Sequence, residues 1–370
     1  MTRKLLGSAS FLVCLFILPM LAHAQYKAER NGDIVTLTDQ AHQTVVQVDP
    51  QVGDITFSMK VKGQEVIHFP FPSPQAFKGH GVSGGIPLLA PWANRLDQDA
   101  FYANGKKYIF NMTLGNVRGP IPIHGFLWDQ PGWQIVSLQA DHNSAWVTAR
   151  LDFYKHPDWM AQFPFAQTIE LTQRLHDGVL EVHVQLNNLS VDPMPVAIGF
   201  HPYLQLTDSP RADWVINVGA RTHYLLQPNK IPTGQTEPIT SFFKNPSAAP
   251  LKDYSLDDGF GDLIRDSQGR AHFTVTGKHQ KLTVEMGPNF QAAVLFSPNP
   301  ATMRRRPRPG NAPARTGRMM HFDPNFICFE PMTSITDAMN LEHEGKLHDL
   351  QHVPPGGSWS GTFWVIPSGF

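Results

Sequence analysis

Apolar and polar residues alternate along many short stretches of this chain, with the two-residue period that is typical of β-strands. Glycines and prolines separate these stretches, and prolines would interrupt a long helix. No long stretch shows the apolar period of a helix. The pattern therefore predicts an all-β chain, folded as a large antiparallel β-sandwich. The clearest predicted strands are residues 34–37, 44–48, 54–57, 145–151, 179–186, 273–275, 282–284 and 361–366.

The chain is long and apolar enough to bury a large core, with 370 residues of which 41% are hydrophobic and 16% charged. No stretch with the composition of a domain linker interrupts residues 26–300, so we expect one domain over residues 25–370. A basic stretch at 299–319 is the one departure, and Arg304, Arg305 and Arg306 follow one another within it. Two interpretations are open: a solvated or partly disordered insertion, or an anion-binding lid beside the functional site.

The first 24 residues have the three-part layout of a bacterial secretory signal peptide. Arg3 and Lys4 are followed by a nearly continuous apolar run at 11–21, and residues 22–24 read Ala-His-Ala, a small-residue cleavage site. The run is short for a membrane span, so an uncleaved anchor is the weaker alternative. We expect a mature protein that begins at Gln25, is periplasmic or secreted, and has no membrane attachment after cleavage.

Charge and cysteine content narrow the classes of function further. Removing Arg3 and Lys4 from the 30 basic residues leaves 28 against 31 acidic residues, a formal charge of −3. That charge is not the strongly positive charge typical of nucleic-acid-binding proteins. Cys328 is the only cysteine after cleavage, so no intramolecular disulfide can form, and the fold must depend on its core. We expect a monomer or a weak dimer.

Four segments place polar side chains in apolar surroundings rich in glycine and proline: residues 84–96, 123–128, 198–204 and 327–331. A lone histidine or glutamate in such a strand is more often structural than functional. However, apolar surroundings raise the pKa of a carboxyl group and lower the pKa of a histidine. Such shifts suit groups that exchange protons near neutral pH, which favours acid–base chemistry on a neutral polyol.

Taken in order, these segments resemble motifs of the aldose 1-epimerase (galactose mutarotase) superfamily over roughly residues 84–340. The matching motifs are Asn94-Arg95-Leu96, His124-Gly125-Phe126, His201-Pro202-Tyr203-Leu204, and Cys328-Phe329-Glu330 followed by Asp337-Ala338-Met339-Asn340. Two matches are softer. Asp257 aligns with a sugar-binding aspartate, with Asp258 as the alternative if the register slips by one, and Gln291 aligns with a glutamine of the site.

The resemblance implies a galactose mutarotase-like supersandwich that interconverts the α and β anomers of a free hexose, a monosaccharide substrate. Glu330 would be the base for the C1 hydroxyl and His201 the acid for the ring oxygen, with His124 assisting. Four residues would bind the sugar: Arg95, Asn94, Asp257 and Gln291. Ring opening and closure of this kind need no cofactor, nucleophile or metal ion.

Three other functions remain open at this point. A hexose-6-phosphate mutarotase could bind phosphate through Arg118 or through the arginines between positions 304 and 308, although export argues against such a substrate. A non-catalytic carbohydrate-binding protein would keep the pocket and lose the reaction. A glycoside hydrolase or lyase could use Asp257 and Glu330 as its pair of carboxyl groups. A metal site is the weakest option, because the 17 histidines show no tight ligand spacing.

Overall fold

The computed structural model describes residues 25–299 and 324–370. The predicted signal peptide, and all but the first residue of the basic stretch, lie outside these described residues. Within them the chain is almost entirely β-structure, as predicted. All eight predicted stretches lie in strands, with one boundary that differs: Asp54 precedes its strand, with a φ of 51°.

The first half of the chain contributes thirteen strands: β1 (Tyr26–Asn31), β2 (Ile34–Asp39), β3 (Thr44–Asp49), β4 (Ile55–Val61), β5 (Gln64–Glu65), β6 (Leu88–Leu89), β7 (Ala100–Ala103), β8 (Lys106–Ile109), β9 (Gln134–Ala140), β10 (Ala145–Leu151), β11 (Gln167–His176), β12 (Val179–Asn188) and β13 (Met194–Val196).

The second half contributes another thirteen: β14 (Gly199–Phe200), β15 (Tyr203–Leu204), β16 (Val215–Asn217), β17 (Ala220–Leu226), β18 (Pro232–Pro238), β19 (Ala249–Pro250), β20 (Leu256–Leu263), β21 (Ala271–Thr276), β22 (Lys281–Met286), β23 (Ala292–Ser297), β24 (Ile327–Met332), β25 (Gln351–Val353) and β26 (Ser358–Ser368).

The α-helices of the described residues are only four to six residues long: α1 (Pro74–Phe77), α2 (Pro157–Met160), α3 (Ile239–Phe242) and α4 (Ala338–His343). None of them has the length and apolar character needed to cross a membrane. Prolines occupy the first position of α1 and α2, where the missing N–H has no partner to lose.

Two large sheets form the body of the molecule. One has nine strands in the order β19-β16-β21-β22-β26-β12-β11-β10-β9. The other has eight, in the order β18-β17-β20-β23-β24-β14-β6, with β15 also paired to β24. A five-stranded meander, β1 to β5, lies at the amino-terminal end, and two small pairs join β7 to β8 and β13 to β25. The pairings between these strands are antiparallel, for example β11 with β12 and β23 with β24.

The two large sheets pack face to face across an aromatic core. Phe200 of β14 contacts Phe363 of β26, with ring centroids 4.9 Å apart, and Phe329 of β24 lies 6.0 Å from Phe273 of β21. In the nine-stranded sheet only the inner face is buried, so β12 alternates strictly between buried and partly exposed residues. The alternation in the sequence therefore marks the core-facing positions of this sheet.

Strand β24 differs because all six of its residues are buried. Successive side chains on a strand point to opposite faces. Since Phe329 faces the nine-stranded sheet, Glu330 and Cys328 face the other side of β24. This outer face of the eight-stranded sheet is where the candidate catalytic residues lie.

Candidate active site

His201 lies between β14 and β15, two short strands that both pair antiparallel with β24 in one register. Its backbone N–H donates to the carbonyl of Pro87 at 3.1 Å. Its ring stacks on that of Tyr203, with centroids 4.5 Å apart and planes 10° apart. The Tyr203 hydroxyl in turn donates to the carbonyl of Val82 at 2.8 Å. These contacts fix the orientation of a histidine ring that is only 4% exposed.

Glu330 lies beside this ring, with Oε1 3.2 Å from Nε2 of His201. The residue is 1% exposed, and within the described part of the chain its Oε2 has no hydrogen-bond partner. The same holds for Nδ1 of His201. Buried polar atoms are rarely left unpaired in proteins, so the free Oε2 is available to a ligand.

Burial dominates the acid–base behaviour of this pair. It raises the pKa of Glu330 well above its ordinary value, and Asp257 adds to that increase while Arg95 opposes it. Burial also lowers the pKa of His201 well below its ordinary value, and His124 and Arg95 contribute in the same direction. Both shifts disfavour a net charge on the pair, so together Glu330 and His201 hold one proton.

His124 lies on the other side of His201, with the two rings edge to face and their centroids 5.4 Å apart. Desolvation, assisted by the charge of Arg95, lowers the pKa of His124 to about 3. The ring is therefore neutral at neutral pH, where it can form hydrogen bonds but does not supply a proton. Its neutrality also avoids repulsion with a protonated His201.

Gly125 explains how the chain turns at His124. Both residues have positive φ values, 65° for His124 and 61° for Gly125. A Cβ atom on Gly125 would lie 2.1 Å from the carbonyl oxygen of Ala90, so only glycine fits this close approach. The N–H of Phe126 donates to that same oxygen at 3.0 Å. The glycine in the His-Gly-Phe motif thus serves the backbone that holds the histidine.

Arg95 and Asp257 form an ion pair at the same site. Nη2 of Arg95 lies 3.2 Å from Oδ2 of Asp257, and the two side chains are 23% and 29% exposed. Asp257 is opposite Phe296 in the sheet, and Phe296 is opposite Cys328, so Asp257 shares the outer face with Glu330. An arginine and a carboxylate that remain partly open can both bind sugar hydroxyl groups.

The side chain of Asn94 is buried and holds Arg95. Its Oδ1 accepts hydrogen bonds from the backbone N–H of Arg95 at 2.9 Å and from Nη1 of Arg95 at 3.0 Å. Its carbonyl accepts the N–H of His124 at 2.8 Å. Asn94 is 4% exposed and has a φ of 55°, a conformation that asparagine tolerates well. It therefore connects Arg95 to His124.

The structure distinguishes the two aspartates that the sequence left open. Asp258 is opposite Leu295, on the other face of β20 from Asp257. There Oδ1 of Asp258 is 3.4 Å from Nε2 of His223 and 3.9 Å from Nζ of Lys230. Asp257 alone of the two contacts Arg95.

Gln291 precedes β23, and its backbone N–H donates to the carbonyl of Met332 at 2.9 Å. Its Oε1 is buried without a hydrogen-bond partner among residues 25–299 and 324–370. The structure thus shows an unpaired acceptor but no hydrogen bond between the Gln291 side chain and the other candidates, and its binding role stays a prediction.

Sequence reasoning did not identify two supporting residues. Tyr203 belongs to the histidine motif, and its spacing from His201 predicts the same strand face, yet nothing in the sequence shows that the rings stack. Lys230, whose Nζ donates to the Asp257 carbonyl at 3.1 Å, comes from the distant β17–β18 connection and has no motif. Among the described residues no group of histidine, cysteine and carboxylate side chains is arranged to hold a metal ion.

Several solved structures share this fold. A galactose mutarotase-like protein from Clostridium acetobutylicum has 19% identity and a TM-score of 0.74, over 93% of this chain and 98% of that one. A galactose 1-epimerase from Lactobacillus acidophilus has 16% identity and a TM-score of 0.68, over 93% and 98%. An aldose epimerase homologue from C. elegans has 16% identity and a TM-score of 0.66, over 88% and 96%.

These similarities show the galactose mutarotase-like fold. The family model for aldose 1-epimerase matches residues 33–365, which is nearly the whole of the described chain. That span contains every motif on which the sequence resemblance depended, from Asn94 to Asn340. The protein therefore belongs to the aldose 1-epimerase family and is an isomerase of the mutarotase type.

Proposed function

We propose that this enzyme interconverts the α and β anomers of a free hexose, with Glu330 as base and His201 as acid. The observation that carries this proposal is the buried Glu330–His201 pair, with 3.2 Å between Oε1 and Nε2 and an unpaired Oε2. The C1 hydroxyl oxygen and the ring oxygen are both bonded to C1. Two proton-exchanging groups that are direct neighbours fit two oxygens on one carbon.

Burial favours the proton on Glu330, so the proposed reaction begins after that proton has moved to His201 across the 3.2 Å contact and has left Glu330 ionised. The carboxylate takes the proton of the C1 hydroxyl, and a C1–oxygen double bond forms. The bond from C1 to the ring oxygen breaks, its electron pair stays on that oxygen, and His201 donates a proton there. Rotation about the C1–C2 bond then presents the other face of the aldehyde, and ring closure reverses both proton transfers.

The number of protons on the pair stays constant through this cycle. Before ring opening the proton is on His201, and afterwards it is on Glu330, so only its position changes. The opposing pKa shifts favour this state with one proton, because burial disfavours both a pair with two protons and a pair with none. General acid and base assistance typically contributes about 10²–10⁴-fold for each group.

The remaining residues orient the sugar. Arg95 and Asp257 bind ring hydroxyl groups through their partly open charged ends. Neutral His124 forms a hydrogen bond on the C1 or ring-oxygen side, next to His201. Gln291 offers its unpaired Oε1 to a hydroxyl donor. Asn94 acts one step away, because its side chain holds Arg95.

A second candidate substrate is a hexose 6-phosphate. A cleft of about 140 Å³ adjoins His124, and the side chains of Arg118 and Asn116 line it. Arg118 is exposed, and its Nε donates to the Gly115 carbonyl at 3.3 Å, so most of its guanidinium remains open to an anion. A cation in a cleft beside the ring-oxygen side of the site would suit a charged group on C6.

Mutarotation rates for a panel of aldoses and one hexose 6-phosphate test both substrates. Polarimetry follows freshly dissolved α-glucose and α-galactose, and anomeric exchange by NMR follows the phosphate. We expect catalysis of at least one free hexose. A preference for the phosphate that Arg118→Gln abolishes would favour the second candidate. Arg221→Gln is the matched control, because Arg221 is also exposed and pairs only with Asp262 among the described residues. No acceleration of any sugar would refute both.

We also propose that the enzyme works outside the cytoplasm, after cleavage between Ala24 and Gln25. The support is the layout of residues 1–24 alone. Amino-terminal sequencing of the protein from a periplasmic fraction tests this proposal. A mature chain that begins at Gln25 is the expected result, and a full-length chain in the cytoplasm would contradict it.

A further inference from the structure

The segment that follows Arg95 is fastened to the segment that follows Glu330. Asp337, at the start of α4, accepts the backbone N–H of Asp97 on Oδ1 at 3.2 Å. The same oxygen accepts Nδ2 of Asn340 at 2.7 Å, and that Nδ2 also lies 2.9 Å from Oδ1 of Asp97. The first and the last side chain of the Asp337-Ala338-Met339-Asn340 motif thus hold one position, Asp97, in the loop that carries Arg95.

Asp337 and Asn340 are buried, whereas Asp97, to which both of them bond, is exposed. Asp337 is 2% exposed and Asn340 is 1% exposed. Asp337 has a φ of 64°, which a residue other than glycine keeps only where its surroundings hold it there. In the described residues the side-chain hydrogen bonds of this pair run to Asp97, to the carbonyl of Ala100 and to each other. The cluster therefore connects two backbone segments.

Arg95 depends on backbone anchors on both of its sides. Upstream, Asn94 joins the loop to His124. Downstream, the N–H of Leu96 donates to the Pro122 carbonyl at 2.8 Å, and the N–H of the next residue, Asp97, donates to Asp337. The side chain of Arg95 itself remains 23% exposed, with a single carboxylate partner at 3.2 Å. The orientation of its guanidinium therefore depends on the loop backbone together with Asn94 and Asp257.

We propose that Asp337 and Asn340 are positioning residues for Arg95. These two residues couple the loop after Arg95 to the chain segment that follows β24, the strand of Glu330. This inference rests on the proposed function, in which Arg95 binds a sugar hydroxyl. Hydrogen bonds in a buried network restrict the motion of the groups they join. Loss of the network lets the loop shift, and an arginine that is displaced by a fraction of an ångström binds its hydroxyl less well.

The experiment compares steady-state mutarotation by the wild type, Asn340→Ala, Arg95→Ala and the double variant. Alanine suits the interior of α4, so Asn340→Ala removes the side-chain hydrogen bonds without opposing the helix. We expect Asn340→Ala to raise KM about 3–10-fold with kcat within about twofold, as for lost binding. On the Arg95→Ala background the same substitution should leave KM unchanged, although it lowers Tm equally on both backgrounds.

Asp337→Asn is the conservative variant. It keeps an oxygen acceptor for Asp97 and Asn340, and asparagine tolerates a positive φ, so KM should stay within about twofold of the wild type. If Asn340→Ala leaves KM unchanged on the wild-type background, or raises it equally on both backgrounds, positioning of Arg95 is overturned. If Arg95→Ala itself leaves KM unchanged, the binding role of Arg95 in the proposed function fails first, and this inference fails with it.

Discussion

Replacing Glu330 by glutamine tests the proposed chemistry most directly. Glutamine has nearly the same shape as glutamate, so the packing around a side chain that is 1% exposed is retained. It cannot accept the proton of the C1 hydroxyl. General base assistance is worth about 10²–10⁴-fold. At about 1.4 kcal/mol for each factor of ten, the expected increase in the activation barrier is roughly 3–5 kcal/mol.

The geometry makes a sharper statement about the pair. Glu330 and His201 are in direct contact at 3.2 Å and hold one proton between them, so neither completes the cycle alone. His201→Asn should therefore cause a similar loss. The double variant Glu330→Gln/His201→Asn should be no slower than the slower single variant, because groups that act as a unit are not additive.

Polarimetry on freshly dissolved α-glucose or α-galactose measures these rates, once the spontaneous rate without enzyme is subtracted. Thermal unfolding is the control for folding. Burial raises the pKa of Glu330, so its contribution to stability is present at low pH and is lost as pH rises through the folded-state pKa. Glu330→Gln should remove that loss and be at least as stable as the wild type at alkaline pH.

Two results would refute this reasoning. A folded Glu330→Gln variant that keeps more than about a tenth of the wild-type rate cannot have lost its general base. Losses that multiply in the double variant would mean that the two residues act independently, and the pair with a shared proton would then be wrong.

Three further predictions follow from the site. Burial lowers the pKa of His201 and raises that of Glu330, so kcat/KM should stay flat through about pH 6.5, where an ordinary histidine titrates. A fall of kcat/KM centred at that pH would contradict the shared proton. Asp257→Ala should raise KM about tenfold, whereas Asp258→Ala should lower Tm and leave KM within about twofold; kinetics that show the reverse would exchange their roles. Gly125→Ala should lower the free energy of unfolding, measured by denaturant titration, by at least about 2 kcal/mol, because the Cβ of the alanine would meet the Ala90 carbonyl. An unchanged free energy of unfolding would show that the turn at His124 and Gly125 relaxes.

The sequence predicted the fold class well because strand alternation is a local property. In β12 every second residue faces the core, so the polarity of each residue reports its face. In β24 the polarity of a residue does not report which face it occupies. All six of its residues are buried, and Cys328 and Glu330 share one face while Phe329 takes the other, but no alternation in polarity marks which face is which. Only the packing of Phe329 against Phe273 decides it.

By itself, the sequence determined the short antiparallel strands, the order of the four motifs and the residue types capable of acid–base chemistry. The tertiary structure decided which of them meet: His201 with Glu330, Arg95 with Asp257 rather than Asp258, and Asn94 behind Arg95. The first two of these contacts join residues more than a hundred positions apart and depend on which strands and loops become neighbours in the fold, and a local pattern does not contain that information. The same packing also buries the pair, and burial raises the pKa of Glu330 and lowers that of His201, so that the pair holds one proton.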